Sequence, residues 1–123
     1  LSIGIGKDPT NSNHQETMTS FENDFKNWME NLQGVRHNQF TFSCSEITST
    51  ISSLQEILTR SPLDNFIFVP LNTKLSTIST ALVALANSRV QVCYPIPEVY
   101  NISYSEPSDN VSIIDFLEID KLS

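Results

Sequence analysis

The chain reads as an α/β domain: a three-layer Rossmann-like fold with a mainly parallel sheet and an extended C-terminal segment. Three observations predict it. Short extended runs recur near residues 40, 66 and 90, a spacing of about 25 residues. Between them lie stretches whose apolar residues stand three and four apart, the period of a helix face. The run Phe66–Val69 is apolar without alternation, as expected for a strand covered on both faces. Strands alternating with helices imply βαβ units and parallel pairing, with right-handed crossovers. This reading requires the strands at 39–43, 65–70 and 90–94 to run parallel in one sheet.

Leu1–Gly6 alternates weakly through Ile3 and Ile5 and is expected to form a short strand. Residues 7–18 are polar, contain Pro9 and read as a loop. Thr19 followed by Glu22 has capping-box spacing. Behind it Phe21, Phe25, Trp28 and Leu32 share one helical face, which predicts a helix over 19–33 ended by Gly34 at C′. Gln39–Cys44 alternates as a strand. Ser43 and Glu46 repeat the capping-box spacing, with Phe42 placed to staple on Ile47. Ile47, Ile51, Leu54 and Leu58 predict a helix over 45–60, closed by Arg60-Ser61-Pro62. Leu75, Ile78, Leu82 and Leu85 predict a third helix over 73–87, before the strand Val90–Tyr94. Pro95-Ile96-Pro97 cannot continue a central strand. Val111–Ile119 regains extended apolar character and is expected to return to the sheet edge. The expected core is Phe25, Trp28, Ile51, Leu54, Phe66, Phe68, Ile78, Leu82 and Val92.

A length of 123 residues fits one α/β domain, residues 1–123, with a real core. Because the chain begins at Leu1, it is expected to be the C-terminal part of a longer protein. The net charge of −7 argues against a duplex nucleic-acid surface, which needs clustered Lys and Arg. Most of that charge, −5, lies from Glu98 onward and is best explained as a solvated face. No apolar run approaches the ~18 residues of a membrane helix. No basic-then-apolar leader is visible, so a cytoplasmic location without membrane contact is expected. In that setting Asn101-Ile102-Ser103 and Asn110-Val111-Ser112 are chance matches to the glycosylation pattern. Cys44 and Cys93 fall in strand-like runs and read as buried, inert thiols.

Ligands of open α/β sheets bind at the carboxyl ends of the strands. Three loops leave those ends: 43–46, 70–76 and 95–100. In the second, Pro70 stops the strand and Asn72 or Thr73 caps the helix. The N–H groups of Thr73, Lys74 and Leu75 are then free to meet an anion. Lys74 in a first helical turn is unfavourable to the helix dipole, which an anion would relieve. The plainer explanation is a solvated lysine on an ordinary capped helix. Asn72, Thr73, Lys74 and Ser76 are the candidate ligand residues, with Ser43, Ser45 and Tyr94 along the same edge. Tyr94, Tyr100 and Tyr104 follow the last strand, where they could stack on a base or simply pack.

The run Val69-Pro70-Leu71-Asn72-Thr73-Lys74-Leu75-Ser76 leads into Ala81-Leu82-Val83-Ala84-Leu85-Ala86 and the strand Val90–Tyr94. It resembles the strand, Thr-Gly-Gly-Thr-Lys-like turn and Ala/Leu-rich helix of the CRISPR-associated Rossmann-fold (CARF) sensor domains. The resemblance covers residues 66–94. It implies a Rossmann-like sensor whose turn contacts the phosphates of a cyclic oligoadenylate. Thr73 and Lys74 carry over directly, while Leu71 and Asn72 stand where that family has glycines.

Other chemistry is poorly represented. His14 and His37 have no ligand partners at metal spacing. No Gly-x-Ser-x-Gly elbow, Gly-x-Gly-x-x-Gly run or Walker lysine motif occurs. The sequence leaves the cofactor unknown, and a homodimer is compatible with it. The leading reading is a ligand-sensing or regulatory domain for an anionic ligand, nucleotides included. The alternatives are a small transferase or hydrolase for a phosphorylated substrate, and an interaction module whose partner meets residues 95–110.

Overall fold

The computed structural model describes residues 1–8, 12–31, 38–96, 98 and 99, with Gly34, Arg36 and Ile113. The element order is β1 (Ser2–Lys7), α1 (Ser12–Glu30), β2 (Asn38–Ser43), α2 (Ile47–Arg60), β3 (Phe66–Phe68), α3 (Lys74–Ala86) and β4 (Val90–Val92). The α/β class is therefore as read from the sequence. The expectations for Leu32, His37, Tyr100, Tyr104, the two Asn-x-Ser sequences and the strand at 111–119 lie outside the described residues, as does the side chain of His14.

All described pairing is parallel, but it forms two ladders rather than one sheet. β1 pairs with β2 from Ser2↔Asn38 to Lys7↔Ser43. β3 pairs with β4 from Phe66↔Val90 to Phe68↔Val92. The expected single sheet through residues 40, 66 and 90 is thus corrected: β2 belongs to a different ladder from β3 and β4. β3 and β4 are three residues long, and Pro70 removes a donor just beyond β3. Phe66–Val69 is not covered on both faces either, since Ile67 is 68% exposed and Val69 is 50% exposed.

The two ladders share one core. Ile51, Leu54 and Leu58 of α2 cluster with Leu82 and Val83 of α3. Phe40 of β2, Phe66 and Phe68 of β3, and Val90 of β4 pack on that cluster. Arg89 ties its lower edge. Its guanidinium donates to the carbonyls of Ser61 (3.0 Å), Asp64 (2.9 Å) and Leu58 (3.4 Å), and lies over the Phe66 ring. It thereby satisfies carbonyls left open at the end of α2.

α3 buries a face different from the one its leucines predict. Ser76, Ser79, Thr80, Leu82 and Val83 are buried, while Leu85 is 77% exposed. Hydroxyls make this possible by bonding back into their own helix. Ser79 donates to Leu75 O at 2.9 Å and Thr80 to Ser76 O at 2.8 Å. Ser79 Oγ also reaches Ile47 O of α2 at 3.3 Å.

α1 departs most from expectation. It begins at Ser12, so residues 12–18 are helix rather than loop, and Thr19 is interior rather than a cap. Glu22 pairs with Lys7 instead, at 3.6 Å. Met29 is the residue of α1 that is buried among those whose side chains are described. Phe21 and Trp28 are exposed and only Phe25 is half-buried, their rings stacking along the helix at 6.0 and 5.6 Å. Gly34 has a φ of +85°, but it stands four residues past the helix end, so it shapes the following turn rather than the C′ position.

Candidate functional site

The expected site lies where chain segments leave β1, β2 and β3, and most of its residues are brought together. Thr73 is the N-cap of α3. Its hydroxyl accepts from the Ser76 N–H at 3.2 Å and donates to Cys44 O at 2.7 Å. The same hydroxyl therefore closes a helix and fastens the loop after β3 to the loop after β2. The Cys44 N–H in turn donates to Lys7 O at 3.1 Å, joining the end of β1. Gly6 completes the convergence: a methyl group placed on it would stand 2.6 Å from Asn72 Nδ2. Only glycine leaves room for the Asn72 side chain against β1. Asn72 Oδ1 accepts from the Thr73 N–H at 2.8 Å.

The backbone donors differ in part from expectation. The Thr73 N–H is occupied by Asn72, so it is not free. The N–H groups of Lys74 and Leu75 have no hydrogen-bond partner among the described residues, and the Lys74 side chain is exposed. Ser76 is buried. Its hydroxyl donates to Thr73 O at 2.8 Å and belongs to the cap. Ser43 and Ser45, the chain neighbours of Cys44, face each other, Oγ to Oγ 3.4 Å. The Ser43–Glu46 capping box does not form: Glu46 is the N-cap of α2 without a side-chain bond. Thr50 instead ties the start of α2 to the end of β2, its hydroxyl shared between the carbonyls of Glu46, at 2.9 Å, and Ser43. Tyr94 is 57% exposed beyond β4, and no described contact joins it to the cluster.

Two features were not legible in the sequence. The first is the place of Cys44, buried as expected but among the three loops; Cys93, also expected to be buried, is exposed. Burial first, and the Asp8 carboxylate second, push the Cys44 thiol above its ordinary value. Asp8 thus places negative charge beside the end of β1. An anion here would sit on the α3 side, toward Lys74. Separately, a recess of about 460 Å³ opens between α1 and the β1–β2 ladder, away from the Asn72–Ser76 turn. No cluster of metal-ligating side chains is present among the described residues, and none of their helices is long and apolar enough to cross a membrane.

Comparison with known proteins yields no match: no family model, curated protein or solved structure is significantly similar to this chain.

Proposed function

We propose that the chain is a ligand-sensing or regulatory domain that binds an anionic, nucleotide-like molecule at the start of α3. The reading places the two ladders edge to edge in the order β2-β1-β3-β4. α1 covers one face and α2 with α3 the other, which gives a doubly wound, three-layer Rossmann-like arrangement. In such folds the ligand sits outside the carboxyl ends of the strands, where the strand order reverses. Here that reversal falls between β1 and β3. The observation that carries the reading is the fit of Asn72 against Gly6, because it brings the turn that follows β3 against the end of β1. The shared core beneath both ladders supports it. At that point stand the open N–H groups of Lys74 and Leu75, the positive end of a 13-residue helix and the Lys74 ammonium. The turn's resemblance to CARF sensor domains makes a cyclic oligoadenylate one member of the ligand class.

The test is titration calorimetry of the chain and its Lys74→Ala variant at low salt, with mononucleotides, dinucleotides and cyclic oligonucleotides. One ligand should bind, and Lys74→Ala should weaken it by about 1.5–3 kcal/mol, the worth of a charge-assisted contact. Binding by neither protein to any nucleotide would leave α3 an ordinary capped helix. Equal binding by both would move the site off this turn.

A further inference from the structure

We propose that the outer edge of β2 is a docking surface for a second copy of this chain, the two β2 strands pairing antiparallel about a two-fold axis. Among the described residues β2 pairs with β1 on one side only. Its run Asn38–Ser43 contains no charged residue, no proline and no glycine, and its register with β1 has no bulge. Strands that must stay unpaired are usually blunted by one of those devices.

The backbone of this edge is open. The Asn38 N–H donates to Leu1 O at 2.9 Å and the Cys44 N–H to Lys7 O at 3.1 Å, both toward β1. In a parallel ladder alternate residues bond the neighbouring strand, and those between them face the other way. Gln39, Thr41 and Ser43 therefore turn their N–H and C=O groups outward. Ser43 O accepts from the Thr50 hydroxyl, which closes that end. Gln39 and Thr41 are exposed and have no outward backbone bond among the described residues. Gly4 keeps the edge clear. A methyl group on it would stand 2.6 Å from the Phe40 ring and 3.1 Å from the Phe42 ring, so both rings lean inward over β1.

A copy of the same strand fits this edge. Antiparallel pairing about Phe40 sets Gln39 of each chain opposite Thr41 of the other, and each such pair exchanges both backbone bonds. The flanks fix the direction. Arg36 precedes β2 and Glu46 follows it; both are exposed, and neither has an ion-pair partner among the described residues. Antiparallel pairing brings Arg36 of each chain toward Glu46 of the other. Parallel pairing would set like charges side by side. A foreign strand would need its own matching charges, whereas the copy carries them by symmetry.

The experiment is analytical ultracentrifugation of the intact 123-residue chain at low salt, from about 1 μM to about 1 mM, where a reversible dimer should appear. Thr41→Pro removes an outward N–H at a place where an edge strand tolerates proline. It should keep the parent's circular dichroism and raise the dimer dissociation constant about tenfold or more. Arg36→Glu and Glu46→Arg should each weaken the dimer, and the two together should restore it. The Glu46 side chain makes no cap bond, so this exchange leaves α2 intact and decides the matter even if Thr41→Pro fails to fold. Lys74→Ala should dimerise as the parent does, which separates this edge from the turn at α3. The proposal is overturned if the parent stays monomeric at about 1 mM. It is overturned equally if folded Thr41→Pro dimerises as the parent does, or if the double exchange is no better than either single one. A dimer dispersed by Trp28→Ala but not by Thr41→Pro would put the interface on α1 and overturn it too.

Discussion

Replacing Leu82 by alanine tests how α3 sits on the shared core, and Leu85 in the same helix supplies its control. Leu82 is 5% exposed and packs with Ile51, Leu54, Leu58 and Val83, whereas Leu85 is 77% exposed. The substitution removes three carbons at either position and leaves helix propensity almost the same. At Leu82 the lost transfer free energy is about 0.8 kcal/mol per carbon, roughly 2.4 kcal/mol in all. The cavity left between two helices and two ladders adds to it, so a loss of about 3 kcal/mol is expected, inside the usual range for buried leucines. At Leu85 the loss should stay near 0.5 kcal/mol or below. Urea denaturation followed by circular dichroism gives both numbers, with an unchanged m-value showing that unfolding remains two-state. If Leu82→Ala costs under about 1 kcal/mol, or no more than Leu85→Ala, the packing of α3 described above is wrong.

Thr73→Ala should cost about 1 kcal/mol through loss of the α3 cap, with Thr73→Ser restoring most of it, measured by the same denaturation. Arg89→Ala uncovers three carbonyls at the base of α2 and should cost about 1.5–3 kcal/mol. Arg89→Lys should not rescue it, because an ammonium cannot reach three acceptors as the planar fork does. Cys93 should react with a thiol reagent much faster than Cys44, as read by mass spectrometry after partial labelling. Because the folded Cys44 thiol has a raised pKa, the native state holds its proton where the unfolded chain releases it. The contribution of Cys44 to stability is therefore complete below the ordinary thiol range and is lost as pH rises above it. Cys44→Ser should remove that alkaline component from the stability profile, and Asp8→Asn should reduce it.

The sequence made element type and order legible because the signals were local. Apolar spacing in α2, through Ile51, Leu54 and Leu58, is one face of a helix and is buried as such. Thr73 as a cap follows from its position before a periodic segment. Pairing was less legible: nothing in Phe40 or Phe66 states which strand lies beside it, and strands of three residues leave little register to read. The two helix faces misread from apolar spacing fail in opposite ways. On α3, Ser79 and Thr80 are buried because their hydroxyls are satisfied inside the helix, which makes polar residues acceptable in the core. On α1, the apolar residues Phe21 and Trp28 stay exposed while Met29, outside the periodic stripe, is buried. The candidate site was legible as a turn and a lysine. Its neighbours were not, because Gly6, Cys44 and Asp8 meet it only through tertiary contacts.

Gly6 also accounts for the composition of the turn. A glycine-rich turn lets a ligand approach the backbone by having no side chains of its own, and Leu71 and Asn72 lack that property. In this chain the space is made on the opposite strand. Gly6 of β1 admits the Asn72 side chain, whose oxygen takes the Thr73 N–H and leaves those of Lys74 and Leu75 open. The glycine and the turn therefore act as one unit across two strands, and Gly6→Ala is their joint test. The added methyl forces Asn72 aside and releases its bond to Thr73. The Thr73 hydroxyl, held by Cys44 O and the Ser76 N–H, keeps α3 capped. Stability should fall by only about 1 kcal/mol, the net worth of one hydrogen bond. Any nucleotide bound at α3 should be lost to the same degree as in Lys74→Ala. A Gly6→Ala variant that binds the nucleotide as the parent does would separate Asn72 from the ligand and leave Lys74 to act alone.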